Sequence, residues 1–469
     1  MSSYDLHLDN RIAGLDEAAP RSDSAVHRLR GLPLLGVLPE LKNDQLGYFV
    51  DLVGRHGDAI EVPLGPNRVL MLNDPGAIEH VLQRNATNYH KSRYYGPLKP
   101  ILGDGIFLAE DERWLHQRRS AVPGFQGCQL KRMTETMCGA TGEMLERWEG
   151  RRRSGETLEL VPEMMGIALD IVLRTLLSYR LQGDDGARVM SALTVILREA
   201  ERRVWSLLPL PLALPSPRNL ALKRSLAVLD GLVRRVVERR AATGERGEDL
   251  LQLLIDAQPG MVAAGMPETL LRDQVLSTIL AGHETTANAL SWTFIQLSRH
   301  PEILAKVRAE LDEVLGGRTP GFEDIHALSY TRQVFMEAMR LYPPVWTLSR
   351  QAMEDDAIGA VPVPKGTTVM LCSYAVHRRP EYWPNPEGFD PDRFAPDAVK
   401  QRPRHAYFPF GGGQRKCLGE RFAMLEAMIV MAMVLQRYRL ELVPGQRIEP
   451  EPMITLRPAG SVRMQLTAL

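Results

Sequence analysis

The sequence predicts a mainly α-helical fold with small β-sheets, formed as a single domain. Residues from about 111 to 310 carry a nearly continuous helical signal, with long amphipathic runs such as residues 224–242. Strand-like segments are short, lie towards the two ends of the chain and do not alternate regularly with helices, which argues against a Rossmann or barrel enzyme. Because no Pro/Gly/Ser-rich linker divides the chain, we predict a flexible segment over residues 1–28 and one domain over residues 29–469.

The shorter elements follow from local patterns. Residues 59–74 alternate apolar and polar side chains and break at Gly-Pro-Asn, which predicts a hairpin. The proline-rich residues 207–219 predict a loop between helices. Short strand-like pieces are predicted over residues 345–373, and a final helix over residues 417–437. The chain is predicted to end in a hairpin over residues 454–466.

Composition restricts the kind of partner and compartment. The 469 residues carry a net charge of zero, so no global field favours nucleic acid or an anionic membrane. Four cysteines without paired spacing indicate neither a disulfide framework nor a zinc ribbon. The polar, acidic N-terminus lacks the features of a signal peptide, so we expect a cytoplasmic protein.

The longest apolar stretch, residues 274–297, has the length of a membrane span. His283 and Glu284 near its middle make insertion into lipid costly. We therefore expect a helix buried in protein and no transmembrane segment.

The segment FPFGGGQRKCLGERFA, residues 408–423, combines features that suit a thiolate ligand. Three glycines allow the backbone close approach to another group, Arg415 brings a positive charge, and Cys417 lies where a helix start lowers a thiol pKa. A phosphate-binding loop is excluded because the required spacing is absent. A cysteine hydrolase with a distant His partner, or a plain glycine turn before a core helix, stays open on these residues alone.

The spacing F-x-x-G-x-R-x-C-x-G resembles the haem-binding loop of the cytochrome P450 family. The resemblance implies a single-domain P450 fold, with haem b between a distal central helix and the proximal cysteine loop and its helix. It further implies that Cys417 binds the haem iron, Phe410 packs on the thiolate side and Arg415 pairs with a haem propionate. Gly419 lets the following helix pass the porphyrin, and Gly413 belongs to the same cofactor-binding loop.

The sequence AGHETT, residues 281–286, resembles the distal-helix motif of the same family. Gly282 weakens the helix, and the Thr285 hydroxyl can bond to the carbonyl four residues earlier, so we expect a local bulge next to Ala281 at the cofactor. The resemblance makes Glu284 and Thr285 the acid–alcohol pair that delivers protons. A core polar pair is the plainer alternative, whereas a zinc protease is excluded because position 287 is alanine.

Glu337 and Arg340, spaced i and i+3, are followed by Arg393 in PDRF. Such a helical pair is common by itself, but the ordered set resembles the Glu-x-x-Arg and Arg network of the family. The resemblance implies a buried structural network that supports the cysteine loop.

The same resemblance assigns further residues to the haem propionates and to the proximal face. Trp114 and Arg118 in the W-x-x-x-R pattern, with Arg350, would contact the haem propionates. The residues expected on the proximal face, where an electron donor would dock, are Arg119, Lys416 and Arg421; ordinary solvated charges are the alternative for these three.

The resemblance implies a monooxygenase that inserts one atom of O2 into an apolar molecule. Electrons would come from a separate ferredoxin or flavodoxin with its NAD(P)H-dependent reductase. We expect a terpenoid, steroid-like or polyketide substrate first and a fatty acid second. The alternatives are a non-oxygenating isomerase or reductase, a peroxygenase, and a non-catalytic haem sensor. The pocket is expected from residues 94–108 and 207–219 and from Ile279, Val345, Trp346, Thr347, Met453 and Ile454.

Overall fold

Helices dominate the architecture of the computed structural model, which describes residues 26–206, 211–244 and 246–469. The α-helices of these residues are α1 (Leu38–Asn43), α2 (Gln45–His56), α3 (Pro75–Glu79), α4 (Lys99–Leu102), α5 (Asp111–Ala121), α6 (Gly127–Ser154), α7 (Leu160–Leu176), α8 (Asp185–Trp205), α9 (Pro217–Thr243), α10 (Leu250–Ala263), α11 (Leu270–Arg299), α12 (Pro301–Leu315), α13 (Ser329–Leu341), α14 (Ser373–Val376), α15 (Pro396–Lys400) and α16 (Glu420–Arg437).

The strands are short and form small sheets. They are β1 (His27–Arg28), β2 (Ala59–Leu64), β3 (Asn67–Leu72), β4 (Tyr89–Lys91), β5 (Leu158–Glu159), β6 (Leu348–Ala352), β7 (Asp356–Ile358), β8 (Val361–Val363), β9 (Thr368–Leu371), β10 (Tyr438–Leu442), β11 (Pro450–Pro452), β12 (Leu456–Pro458) and β13 (Arg463–Ala468). In the described chain, one sheet has the order β1-β2-β3-β9-β6-β4, another has the order β10-β13-β5, and β7-β8 and β11-β12 are two-stranded.

Helix α11 forms the centre of the core. It packs against α7, α9, α10, α13 and α16, so nearly its whole circumference is buried. Trp292 stacks on Tyr342 of the segment after α13, with ring centroids 3.7 Å apart. Burial on all sides explains the long apolar run, as expected for a helix inside a protein. Among the described residues, every helix is too short or too polar to cross a lipid bilayer.

The predicted hairpin over residues 59–74 is confirmed, because β2 and β3 pair antiparallel from Ala59–Leu72 to Leu64–Asn67. The predicted closing hairpin over residues 454–466 is wrong. β12 pairs with β11, whereas β13 pairs with β10 and β5. Pro458 ends β12, and the chain then crosses from one sheet to another instead of folding back on β12.

Two helix boundaries also differ from expectation. The loop predicted over residues 207–219 lies partly outside the described residues, and its last three residues are helical. Pro217 begins α9 and the Ser216 hydroxyl accepts from the N–H of Asn219, because proline is favoured in a first helical turn. The final helix begins at Glu420 instead of residue 417. The division into residues 1–28 and 29–469 stays a prediction, although β1 already pairs with β2 at His27.

Candidate active site

A cavity of about 540 Å³ lies between α11 and the cysteine loop. Its walls also come from α5, α8, the segment after α13, β6 and the residues before β12. Sequence-predicted site residues that line it are Trp114, Arg118, Ala281, Glu284, Thr285, Val345, Trp346, Thr347, Arg350, Phe410, Arg415, Cys417, Gly419, Met453 and Ile454. The structure therefore brings together residues that lie up to 340 positions apart in the chain.

Two residues that were predicted for the cofactor site or the substrate pocket lie outside this lining. Ile279 is fully buried in the core and does not reach the cavity, which its helix lines through neighbours such as Ser277 and Ala281. Gly413 instead packs against the chain before β4. With φ +62°, a Cβ at this position would lie 1.8 Å from the carbonyl oxygen of Leu82. Only glycine fits that contact, so Gly413 fixes the path of the loop.

The cysteine loop presents its thiol to the cavity. The backbone N–H of Cys417 donates to the carbonyl of Phe410 (2.9 Å), which closes the loop before α16. The side chain is exposed, but only to a cavity inside the protein. Burial therefore raises the pKa of the Cys417 thiol, against the opposing effects of the Gly419 N–H and the Arg118 guanidinium. The expected lowering by a helix start does not dominate, since α16 begins three residues later.

Positive charges gather at one end of the cavity. Arg415 contacts Glu110, donates to the Ala109 carbonyl (3.0 Å) and lies 4.4 Å over the Trp114 ring. Arg350 is 8% exposed and donates to its neighbour Ser349.

Two further cations complete this cluster. Arg118 donates to the Lys416 carbonyl (3.1 Å). Lys91, which the sequence analysis missed, lies 5.3 Å over the Phe107 ring. Burial, together with Arg350 and Arg415, lowers the pKa of Lys91 to about 7. This cation cluster is defined as Lys91, Arg118, Arg350 and Arg415. The carboxylates of Glu110 and Asp111 lie near it and act on Arg415.

Helix α11 supplies an acid and a hydroxyl on the other wall. Thr285 donates from its hydroxyl to the carbonyl of Ala281 (2.8 Å), as its spacing predicted. Glu284 is 3% exposed and accepts from the hydroxyl of Thr455, and burial raises its pKa to about 7. The predicted bulge is absent, because α11 is an uninterrupted α-helix from Leu270 to Arg299.

Gly282 has a packing role instead of opening the helix. A Cβ at this position would lie 2.8 Å from a methyl group of Val172 on α7. Because real Cβ atoms do not approach so closely, glycine permits α7 to pack directly on the backbone of α11. The contact sets how closely α11 packs on α7, and thereby positions Ala281 and Thr285 in the cavity wall.

The structure contains the Glu-x-x-Arg contacts that the resemblance implies. Arg340 donates from Nε and Nη2 to the two carboxylate oxygens of Glu337 (2.7 and 2.8 Å), and both side chains are 0% exposed. Arg393 approaches the same carboxylate at 3.4 Å. The remaining donors of Arg340 reach the carbonyls of His377 (2.9 Å), Pro386 (2.7 Å) and Gly388 (3.0 Å).

This network reaches the cysteine loop through His377. The Phe408 N–H donates to its Nε2 (3.0 Å), and Tyr407 donates to the Met336 carbonyl on α13 (2.9 Å). Burial holds the pKa of His377 well below its usual range, so the ring stays neutral and can accept. His377 was not among the site residues predicted from the sequence.

Glu201 on α8 is a further cavity residue that the sequence analysis missed. Residues 196, 197, 200 and 204 form the apolar cavity face of the same helix. An ionisable residue on an apolar helix face is a signal that could have identified it from the sequence.

Comparison with known proteins identifies the family. Residues 27–464 match the family model described as Cytochrome P450, so the chain belongs to the cytochrome P450 family. Cyclooctatin synthase of Streptomyces melanosporofaciens is 35% identical over 440 residues, which cover 92% of this chain and 94% of that protein. Cyclooctat-9-en-7-ol 5-monooxygenase of the same organism is 34% identical over 88% of this chain and 89% of its own length. Pentalenene oxygenase of Streptomyces avermitilis is 32% identical over 90% of this chain and 92% of its own length.

The chain is a cytochrome P450 monooxygenase, an enzyme class that uses haem, O2 and a redox partner. The residues present fit such a cofactor. Cys417 offers a thiol to the cavity, and the four side chains of the cation cluster outnumber the carboxylates of Glu110 and Asp111, as suits a flat group with two propionates. The predicted P450 fold, with its helical majority and small sheets, is confirmed.

Proposed function

We propose that this monooxygenase inserts one oxygen atom of O2 into a cyclic terpenoid and releases the other as water. The observation that carries the proposal is the similarity over about nine tenths of the chain to three enzymes whose names denote terpenoid-modifying reactions. The distal part of the cavity supports it, because Val345, Trp346, Met453 and Ile454 supply apolar walls without a fixed polar pattern. Steroid-like and polyketide skeletons belong to the same first-ranked group of substrates, and a fatty acid is the second-ranked class.

We assign the proximal residues to a haem of type b. Cys417 would bind the haem iron, and Phe410, Gly419 and Ala281 would contact the cofactor. Gly413 keeps the loop in place through its contact with Leu82. A thiolate-bound haem supplies activation of dioxygen. The propionates would be held by Arg118, Arg350 and Arg415 together with Lys91 and the Trp114 indole, because guanidinium groups bind carboxylates in a fixed geometry.

Glu284 and Thr285 are proposed to deliver protons. With a pKa near 7, Glu284 can both hold and release a proton at neutral pH. The Thr455 hydroxyl fixes its carboxyl group, and Asn288 in turn donates to Thr455 (3.0 Å). The Thr285 hydroxyl, one residue further along the helix and lining the cavity, would pass that proton on.

The redox partner is proposed to be a ferredoxin or flavodoxin served by an NAD(P)H-dependent reductase. Arg119 and Arg421 are exposed, and the half-exposed Lys416 pairs with Glu420 (2.5 Å) next to the cysteine loop. Such cations suit an acidic donor. We also propose the cytoplasm as the compartment, because all four cysteines are free thiols, which suits a reducing environment.

The test is a titration of the purified ferric protein, followed by its absorption spectrum. Terpenes, steroids, macrolides and fatty acids are compared as ligands. We expect a low-to-high-spin shift with cyclic terpenoids, followed by NAD(P)H-dependent hydroxylation with a surrogate ferredoxin and reductase. A shift with fatty acids alone would contradict the terpenoid assignment.

A further inference from the structure

Glu201 is unusual because it places a carboxyl group among apolar side chains. The cavity face of α8 consists otherwise of Ile196, Leu197, Ala200, Val204 and Trp205. Burial of an ionisable group in such surroundings costs free energy unless the group is neutral or paired. A carboxyl group retained there is therefore expected to have a partner that offsets this cost.

The side chains around Glu201 satisfy only part of its hydrogen-bonding capacity. The Trp205 indole N–H donates to the carboxyl group. Oε2 is buried and has no hydrogen-bond partner among the described residues. Glu284 and Glu451 add negative charge near Glu201. Arg457 is the nearby cation, but its Nε–H already donates to the Glu451 carboxylate (2.7 Å).

These surroundings determine the protonation state of Glu201. Burial, reinforced by Glu284 and Glu451, raises its pKa to about 8. At neutral pH the group is mainly a neutral carboxylic acid, which donates through O–H and accepts through its carbonyl oxygen. A hydroxyl group can likewise both donate and accept a hydrogen bond, whereas a hydrocarbon can do neither. The carboxylate of an ionised fatty acid would be repelled whenever Glu201 loses its proton.

We propose that Glu201 binds a hydroxyl group of the substrate, so that the enzyme prefers a terpene alcohol to the corresponding hydrocarbon. The inference rests on the proposed function and narrows its substrate class. Glu201 lines the cavity, and because the last torsion of a glutamate is broad, rotation about it can present a carboxyl oxygen to a bound substrate. The reaction that supplies this substrate must leave a hydroxyl on the skeleton, as an earlier hydroxylation or a cyclisation ended by water does.

The proposal is tested by spectral titration of the haem-loaded ferric protein with matched pairs of ligands. The pairs are α-terpineol and limonene, cedrol and α-cedrene, and abietadienol and abietadiene. Binding to the resting ferric protein needs no proton delivery, so the dissociation constants report recognition and not a relay role of Glu201. We expect at least one alcohol to bind about tenfold more tightly than its hydrocarbon.

The variants separate hydrogen bonding from shape. Glu201→Leu should weaken alcohol binding about 10- to 100-fold and leave hydrocarbon binding unchanged or tighter, because the substrate hydroxyl loses its partner. Glu201→Gln keeps a donor and an acceptor and should stay within about threefold of wild type. Arg198→Gln, an exposed position of α8, controls for general effects on the helix.

The outcomes distinguish the two proposals. Equal binding of alcohols and hydrocarbons, or equal weakening of both by Glu201→Leu, would overturn the role of Glu201 and leave terpenoid oxidation intact. Binding of hydrocarbons alone would overturn it as well. If no terpenoid shifts the spectrum of the wild-type protein, the proposed function fails, and the role of Glu201 fails with it.

Discussion

Replacement of Arg340 by methionine should severely destabilise the protein. The change removes both charge-assisted bonds to Glu337 and three bonds to the carbonyls of His377, Pro386 and Gly388. Loss of the partner of a buried charge costs about 3–5 kcal/mol, and the orphaned carbonyls add about 1–3 kcal/mol. A loss of about 4–8 kcal/mol is comparable to the whole stability of many proteins.

Urea denaturation of the haem-loaded protein, with haem retention followed at the Soret band, measures the effect. Arg332→Met, an exposed change on the same helix, is the control and should cost less than about 0.5 kcal/mol. Because burial already raises the pKa of Glu337, the carboxyl group of the variant should take up a proton readily.

The folded-state pKa then lies further above the unfolded value near 4.5. A raised carboxyl pKa stabilises the folded state below that unfolded value, and the benefit is lost as pH rises through the folded pKa. The deficit relative to wild type should therefore be larger at pH 8 than at pH 5.5. A deficit under about 1 kcal/mol, or one independent of pH, would refute an unpaired buried charge as the cause.

Three further changes test the site. Thr285→Ala should keep haem and substrate binding but release reducing equivalents as hydrogen peroxide; unchanged coupling of NAD(P)H consumption to product would remove its role. Cys417→His should abolish the thiolate absorption signature of the haem protein, and a retained signature would assign the ligand elsewhere. Gly413→Ala should lower the free energy of unfolding by about 2–4 kcal/mol, because the new Cβ meets the Leu82 carbonyl and alanine must adopt the left-handed backbone conformation of this position. Gly127→Ala is the control, because a Cβ there meets nothing within 4 Å.

The sequence was sufficient where a feature depends on nearby residues. The i, i+3 spacing placed Glu337 and Arg340 in contact, and the i−4 bond of Thr285 followed from helix geometry. Ile279 was misplaced because a helix buried on every side carries no hydrophobic phase that marks the cavity side. Which residues of α11 face the cavity is known only once the neighbouring helices are in position.

Contacts between distant segments were beyond such reasoning. Lys91 and Glu110 join Arg415 across more than 300 residues, and neither lies in a recognisable spacing. The glycine requirement at position 282 arises from Val172 on another helix, not from local flexibility. These features depend on tertiary packing, which no local pattern encodes.

Residues 94–108 contribute to the cavity wall, and a hydrogen bond from their main chain to a side chain of α11 holds them in place. Asp273 accepts from the N–H of Asp104 (2.8 Å), and a Cβ at Gly103 would collide with the same carboxylate. Because the donor of this hydrogen bond is a main-chain N–H, the bond does not depend on which side chain residue 104 carries. Substrate range can thus be redesigned by saturation mutagenesis along residues 94–108, with positions 103 and 105 held as glycine, because a Cβ at Gly105 would also meet Ser277 and the Asp273 backbone of α11.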